Sequence, residues 1–372
     1  MCPKSMVHSM TRAFGSPLRY IQGPGEFDHL PDFTSAFGEA CILIDQFLFS
    51  ELKVRLEKIY ERCESEFIAV SFAGECCEEA VESIKAIAGE HKISVIVGIG
   101  GGKTMDVAKL CSAAMGLSLI IVPTSASTDA PVSEIAVLYT RDGEYIGSRK
   151  MKRNADLVLV DSEIIIKAPR RLFVAGMGDA LATWFEAKAC ESSHASNYIG
   201  TGYSSCKAGM AIAEMCRKIL FDNGYQALQA LEEGIVNEAL ENVVEANTLL
   251  SGLGFLNTGL AAAHGIHSGL TALPRTHKFL HGEKVAFGIV CQLMMEEASD
   301  ETKEETINFM AEIGLPVTLR QLDVEVTEEN IMTIAEKTVE GPLVHHENTD
   351  VTVESLYHAI ISADLLGRKY IQ

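Results

Sequence analysis

The sequence predicts a chain in two parts, an α/β N-terminal domain built on a parallel sheet and an all-α C-terminal domain. Three observations carry this. Short continuous apolar runs alternate with amphipathic stretches through residue 168. From Pro169 the pattern becomes helical, rich in Ala and Leu and poor in strand signals. The length, 372 residues, suits two domains with cores of their own. The division is therefore placed at 1–168 and 169–372.

The elements follow in order. ACILID (40–45) reads as a buried strand and SELKVRLEKIYERCES as a helix with apolar residues at helical spacing. FIAVSF (67–72) reads as a strand, and CEEAVESIKAIAGEH as a helix with an acidic first turn. ISVIVGIG (93–100) and LSLIIVP (117–123) are apolar runs of the kind buried on both sheet faces. IAVLYT-RDGE-YIGSRK reads as a hairpin turning at Asp142-Gly143. DLVLVD (156–161) closes the series. Beyond it, RLFVAGMGDALATWFEAKACES, ALENVVEANTLLSGLG, TGLAAAHGIHSGLTAL, DETKEETINFMAEIG and TVESLYHAIISADLLGRKY all carry helical periodicity.

Composition narrows the function. Lys and Arg total 31 against 51 Asp and Glu, a net charge of −20. That argues against nucleic acid or an acidic membrane as partner, since both require a basic face. No apolar run approaches the roughly 20 residues that span a bilayer. The ten cysteines are scattered without a C-x-x-C pair, and the N-terminus lacks the apolar core of a secretion signal. The thiols are therefore expected reduced, in the cytoplasm.

VGIGGGKTMDVAKLCSAAMG is the most informative segment. A buried strand enters Gly100, Gly101 and Gly102, then Lys103, Thr104 and an amphipathic helix. Glycines admit a phosphate to the backbone, and the helix start offers unpaired N–H groups. The spacing misses both standard fingerprints by one residue. A Walker loop would need Gly at Val97, and the dinucleotide motif would need Gly at Lys103. A tight turn that binds nothing is the bland alternative. A second loop, Pro123–Pro131, brings four hydroxyls (Thr124, Ser125, Ser127, Thr128) and Asp129 to a strand end. Asp45 ends the first apolar run. It could hold a ribose diol and repel a 2′-phosphate, favouring NAD, or simply begin a turn.

The helical half holds a candidate metal set. Asp179 is read as opening an apolar helix, His264 follows three alanines, and His281 precedes Gly282 at another helix start. An aspartate and two imidazoles from helix ends can hold one divalent ion, and three protein ligands leave an open position, as in catalytic zinc. Other pairs remain open: His264 with His267, and His277 with His281, separated by Pro274. His345 and His346 read as solvated.

GIGGGKTMDVAK, PTSASTDAP, GMGDALATWFEA, EANTLLSGLGF, GLAAAHGIHSGLTALP and HGEKVAFG together closely resemble the glycerol dehydrogenases of the iron-containing alcohol dehydrogenase family, within the dehydroquinate synthase-like superfamily. The resemblance runs from YIQGPGEFDHL to the final helices. It implies a Rossmann-like NAD domain followed by a helical metal- and substrate-binding domain. By motif position it implies cofactor contacts at Asp45, Gly101, Gly102, Lys103, Thr104, Asp106, Thr124, Ser127, Ser133, Ile135 and Tyr139. It implies a substrate contact at Asp129 and zinc, or another divalent metal, on Asp179, His264 and His281. These four serve as the catalytic and substrate-binding set. Thr183 stands where iron-using relatives place a fourth ligand. The implied reaction is NAD-dependent oxidation of glycerol or a related vicinal diol, giving dihydroxyacetone from glycerol. His267 is a candidate proton relay. The expected partners are a small polyol and further copies of the chain, an octamer being one candidate. Two other readings stay open: a glycerol-1-phosphate dehydrogenase of the same superfamily, and a nucleotide-hydrolysing module using Lys103 and Thr104. The stretch before Ser16 departs from the family pattern and reads as a disordered tail.

Overall fold

A computed structural model describes residues 11–63, 65–200 and 202–371. Its strands are β1 (Tyr20–Gly23), β2 (Glu39–Asp45), β3 (Phe67–Phe72), β4 (Ile93–Gly100), β5 (Ser118–Pro123), β6 (Ile135–Tyr139), β7 (Tyr145–Lys150) and β8 (Leu157–Asp161). Six form an all-parallel sheet in the order β1-β8-β5-β4-β2-β3. β6 and β7 form the expected antiparallel hairpin, turning through Gly143 at φ 89°.

The apolar runs read as strands match β2, β3, β4, β5 and β8 to within one residue at each end. Continuous apolarity has a simple cause: the central strands are covered on both faces. Ile42, Val97, Ile120 and Leu157 lie in register across four strands and share one core cluster with Leu52, Leu56 and Ile59 of the helix Gln46–Tyr60. Each such side chain contributes about 1.5–3 kcal/mol on burial. β1 escaped the sequence reading because it is an edge strand, half-buried throughout, with no apolar run. Buried Asp161 fixes the chain after β1 by accepting the N–H groups of Gly25 and Phe27.

From β2 the chain places β3 on one side and β4 on the other. The strand order thus reverses between β2 and β4, whose carboxyl ends carry Asp45 and Gly100. Open α/β sheets bind ligands at such a point.

Two compact units emerge. Among the described residues the sheet unit comprises Ser16–Arg170 and Gln229–Leu249; the other holds 11–15, Arg171–Leu228 and 250–371. The division expected at 168/169 lies two residues from the break at 170/171, and two segments cross it. Residues 229–249 join the sheet unit because their polar groups bond to it. Tyr20 Oη meets Thr248 Oγ1 at 2.7 Å, Gln22 Nε2 donates to Glu241 O, and Asn247 Nδ2 donates to Ala126 O. The tail expected to be disordered falls partly outside the described residues. Its described part is held: Gly15 N–H donates to Asn257 Oδ1 at 2.7 Å, and Arg12 bridges to Ser204.

The second unit has only helices as regular elements among its described residues, the longest being Arg170–Ser193 and Lys207–Glu233. Arg170–Ser193 is buried around most of its circumference, consistent with its apolar composition. It meets the helix His281–Met295 at unusually close range. A Cβ on Gly282 would lie 1.8 Å from Ala175 O, and one on Gly178 2.6 Å from Gly282 O. Glycine is what lets these backbones touch. Among the described residues no single helix is long and apolar enough to cross a membrane.

Candidate functional site

In the helical unit Asp179, His264 and His281 come together. Asp179 does not open a helix, as the sequence suggested; it lies in the third turn of Arg170–Ser193. Gly178 in the turn before it permits close packing on Gly282. His264 is the third residue of the helix Ala262–Leu270, and His281 the first of His281–Met295. The glycine contact at 282 seats His281 against Asp179.

His264 Nε2 and His281 Nε2 lie 3.3 and 3.1 Å from Asp179 Oδ1, and 3.2 Å from each other. Three donors of a tetrahedron with bonds of about 2.0–2.1 Å stand about 3.3–3.4 Å apart. The triangle therefore has the dimensions of a tetrahedral face, and the trio could hold one ion. Asp179 is 1% exposed, and neither of its carboxylate oxygens makes a hydrogen bond among the described residues. A buried carboxylate whose nearest polar neighbours are two imidazole nitrogens is the donor set of a shared cation. Burial opposes ionisation of Asp179, but the His281 and His264 rings outweigh it and hold the carboxyl well below its ordinary range. Burial likewise opposes charge on His264, yet Glu186 and Asp179 raise it well above the usual imidazole value.

Thr183 is buried and bonds Ser251 Oγ at 3.0 Å. His267 Nε2 lies 3.0 Å from His281 Nδ1, behind the ligand rather than beside Asp179. His277 points elsewhere, donating from Nε2 to Thr271 O. His346 is half-buried on Leu260 O, which corrects its reading as solvated.

Sequence reasoning missed the polar floor beneath His264. The first four N–H groups of its helix are all accepted by side chains: Ala261 and His264 by Glu186, Ala262 by Glu347, and Ala263 by Gln292. Glu186 lies two turns after Asp179 on the same helix face. Burial, then the neighbouring Glu296 charge, pushes the Glu347 carboxyl up to about 8. A raised carboxyl contributes stability fully present below its unfolded value, near 4.3, and lost as pH rises through about 8. Glu347→Gln keeps an acceptor for Ala262 without the charge. Its stability relative to wild type should therefore improve by roughly 1–3 kcal/mol between pH 5 and pH 9. Urea unfolding at the two pH values checks this; a pH-independent difference would contradict it.

The sheet unit carries the loop candidates. The helix after β4 is Gly102–Met115, and its first intrahelical bond runs from Met105 N–H to Gly101 O. The N–H groups of Gly102, Lys103 and Thr104 precede that ladder and are available to an anion. Added Cβ atoms at Gly101 and Gly102 meet nothing within 4 Å, whereas one at Gly100 would lie 2.7 Å from Thr104 Oγ1. Gly100 is small for packing. Gly101 and Gly102 have no such reason, and the space above them suits a ligand. Asp45 accepts the Phe47 N–H at 3.0 Å through Oδ1, capping its helix. Lys103 reaches Glu75, and Thr124 N–H donates to Gly100 O, tying the two loops. Thr124, Ser127, Asp129, Ile135 and Tyr139 are half-buried around the second loop and hairpin.

Two of the implied contact residues have bonds within the protein. Asp106 is 6% exposed, with one oxygen on Lys109 Nζ and the other on Val137 N–H. Ser133 is 4% exposed, and its hydroxyl accepts the Ile135 N–H. Both side chains brace the loop from within. The missed residue here is Lys109, whose buried ammonium also donates to Ala130 O and Ile135 O at 2.8 Å. It staples the glycine-loop helix to the loop carrying Asp129.

A glycine loop at the reversal of a parallel sheet, in one chain with a buried metal-type donor set, suits an oxidoreductase. The comparisons agree. Residues 17–162 match the iron-containing alcohol dehydrogenase family. A glycerol dehydrogenase of Thermotoga maritima is 44% identical over 95% of this chain and 96% of its own. A glycolaldehyde reductase of Halobacterium salinarum is 38% identical over 97% and 99%. The crystal structure of a probable glycerol dehydrogenase from Sinorhizobium meliloti superposes with a TM-score of 0.90, at 42% identity, covering 96% of this chain and 100% of that one. The chain belongs to the iron-containing alcohol dehydrogenase family.

Proposed function

We propose that this protein oxidises glycerol, or a closely related vicinal diol, to the hydroxyketone with NAD, using a divalent ion, zinc by preference, on Asp179, His264 and His281. The observation that carries the reading is the triangle of three donors around a buried carboxylate without hydrogen bonds. Two relatives named for glycerol and glycolaldehyde chemistry support the substrate class, an oxygen-bearing carbon beside a second oxygen.

When bound, the ion supplies Lewis acidity toward an alcohol oxygen and the nicotinamide supplies a hydride acceptor. The substrate loses a hydride from its C2 and a proton from the hydroxyl on that carbon. The chain's residues do the rest. Asp129 is the proposed acceptor for another substrate hydroxyl. His267, bonded to His281 Nδ1, is the proposed exit for the proton. The N–H groups at Gly102–Thr104 receive the pyrophosphate, with Gly101 leaving room for it. Thr124 and Ser127 line the second cofactor loop. NADH formation from glycerol, measured before and after chelation, tests the reading; turnover unaffected by a strong chelator would refute it.

Asp45 at the end of β2 is the proposed ribose acceptor. Asp45→Ser keeps a helix-capping oxygen but removes the charge. It should narrow the preference for NAD over NADP by about 1–3 kcal/mol. An unchanged ratio of kcat/KM values would remove Asp45 from the adenosine site.

A further inference from the structure

We infer that Glu186 is a positioning residue that fixes which nitrogen of His264 faces the ion and thereby sets metal affinity. The inference rests on the ligand set proposed above. Glu186 is fully buried, seven residues after Asp179 on the same helix. Its Oε1 accepts the Ala261 and His264 N–H groups, each at 2.9 Å, and its Oε2 lies 2.7 Å from His264 Nδ1. An ionised carboxylate only accepts, so Nδ1 carries the ring proton. In the neutral ring that a bound ion requires, Nε2 then keeps its lone pair, directed at the point shared by Asp179 Oδ1 and His281 Nε2. One carboxylate thus anchors both the start of the helix and the ring that the helix presents. Its charge is offset by three donated bonds and the positive helix terminus.

Capping a helix does not by itself require an acid; an amide oxygen accepts equally well. The ring contact does, because only an acceptor at Nδ1 frees Nε2. Glu186→Gln separates the two roles while conserving volume. Its amide oxygen still accepts both backbone N–H groups, and its NH2 then faces Nδ1 and drives the proton onto Nε2. Flipping the amide would instead set NH2 against two N–H donors.

The test is Zn2+ alone, titrated against a chromophoric chelator, together with the melting temperature of the metal-free protein. Glu186→Gln should lose about 10–100-fold in Zn2+ affinity while melting close to wild type. Wild-type affinity in the variant would overturn the inference. So would a loss of metal-free stability with affinity intact, since that assigns Glu186 to capping alone. Asp179→Ala, titrated alongside, separates the two levels. If it also binds Zn2+ like wild type, the ligand set itself falls; if only the Gln variant does, this inference alone falls.

Discussion

Asp179→Ala should leave a folded protein that binds NAD normally but oxidises glycerol at less than about a thousandth of the wild-type rate. The carboxylate is the one anionic donor of the trio and sits 1% exposed without a hydrogen bond. Removing it takes away the charge that would hold the ion between two imidazoles, and with it several kcal/mol of Lewis-acid stabilisation. The fold has little reason to fail, because His264 keeps its bonds to Glu186. Wild type should gain melting temperature on addition of Zn2+, by mass action, and the variant should not. The glycine loop belongs to the other unit, so calorimetric NAD binding should be unchanged. A variant with wild-type turnover, or one without NAD binding, would contradict this assignment.

Gly282→Ala should be nearly as damaging, although residue 282 offers no donor. A Cβ there would lie 1.8 Å from Ala175 O and 2.7 Å from its carbon, both rigid backbone atoms of the helix that carries Asp179. The helices must separate by about 1 Å or more. Overpacking of this kind costs about 1–3 kcal/mol or more of stability. A displacement of about 1 Å at His281 relative to Asp179 should cost on the order of 100-fold in turnover. Denaturant unfolding and glycerol oxidation measured on the same sample check both effects. Wild-type stability together with wild-type activity would mean that the close approach at Gly282 does not seat His281.

Where the fold was legible in the sequence, the reason is burial. β2, β4, β5 and β8 are covered on both faces and read as unbroken apolar runs. β1 has no such cover and left no pattern. Residues 229–249 have the same amphipathic character as the rest of the helical half. Long-range bonds such as those of Gln22, Tyr20 and Asn247 attach them to the sheet unit, and sequence periodicity carries no trace of such bonds.

The trio Asp179, His264 and His281 was legible because charged and imidazole groups are conspicuous among Ala, Gly and Leu. Residue spacing left His277 and His281 open, and the resemblance pointed to His281. A short 3-10 helix, Pro274–Lys278, turns His277 toward Thr271 O. The second layer was hidden for the opposite reason. Glu186, Lys109 and Glu347 look like surface charges in a sequence, and only burial shows that each is bonded into the interior. Asp106, conspicuous in the glycine-loop motif, has both its oxygens engaged by Lys109 and Val137, which the motif alone did not show.

The central claim is that Asp179, His264 and His281 together hold a catalytic divalent ion. Elemental analysis of the purified wild type beside His264→Ala, His281→Ala and His277→Ala tests it most directly. The account predicts one divalent ion per chain in wild type and His277→Ala, with strongly reduced occupancy in the other two. A full complement of metal in His281→Ala, or its loss from His277→Ala alone, would contradict it.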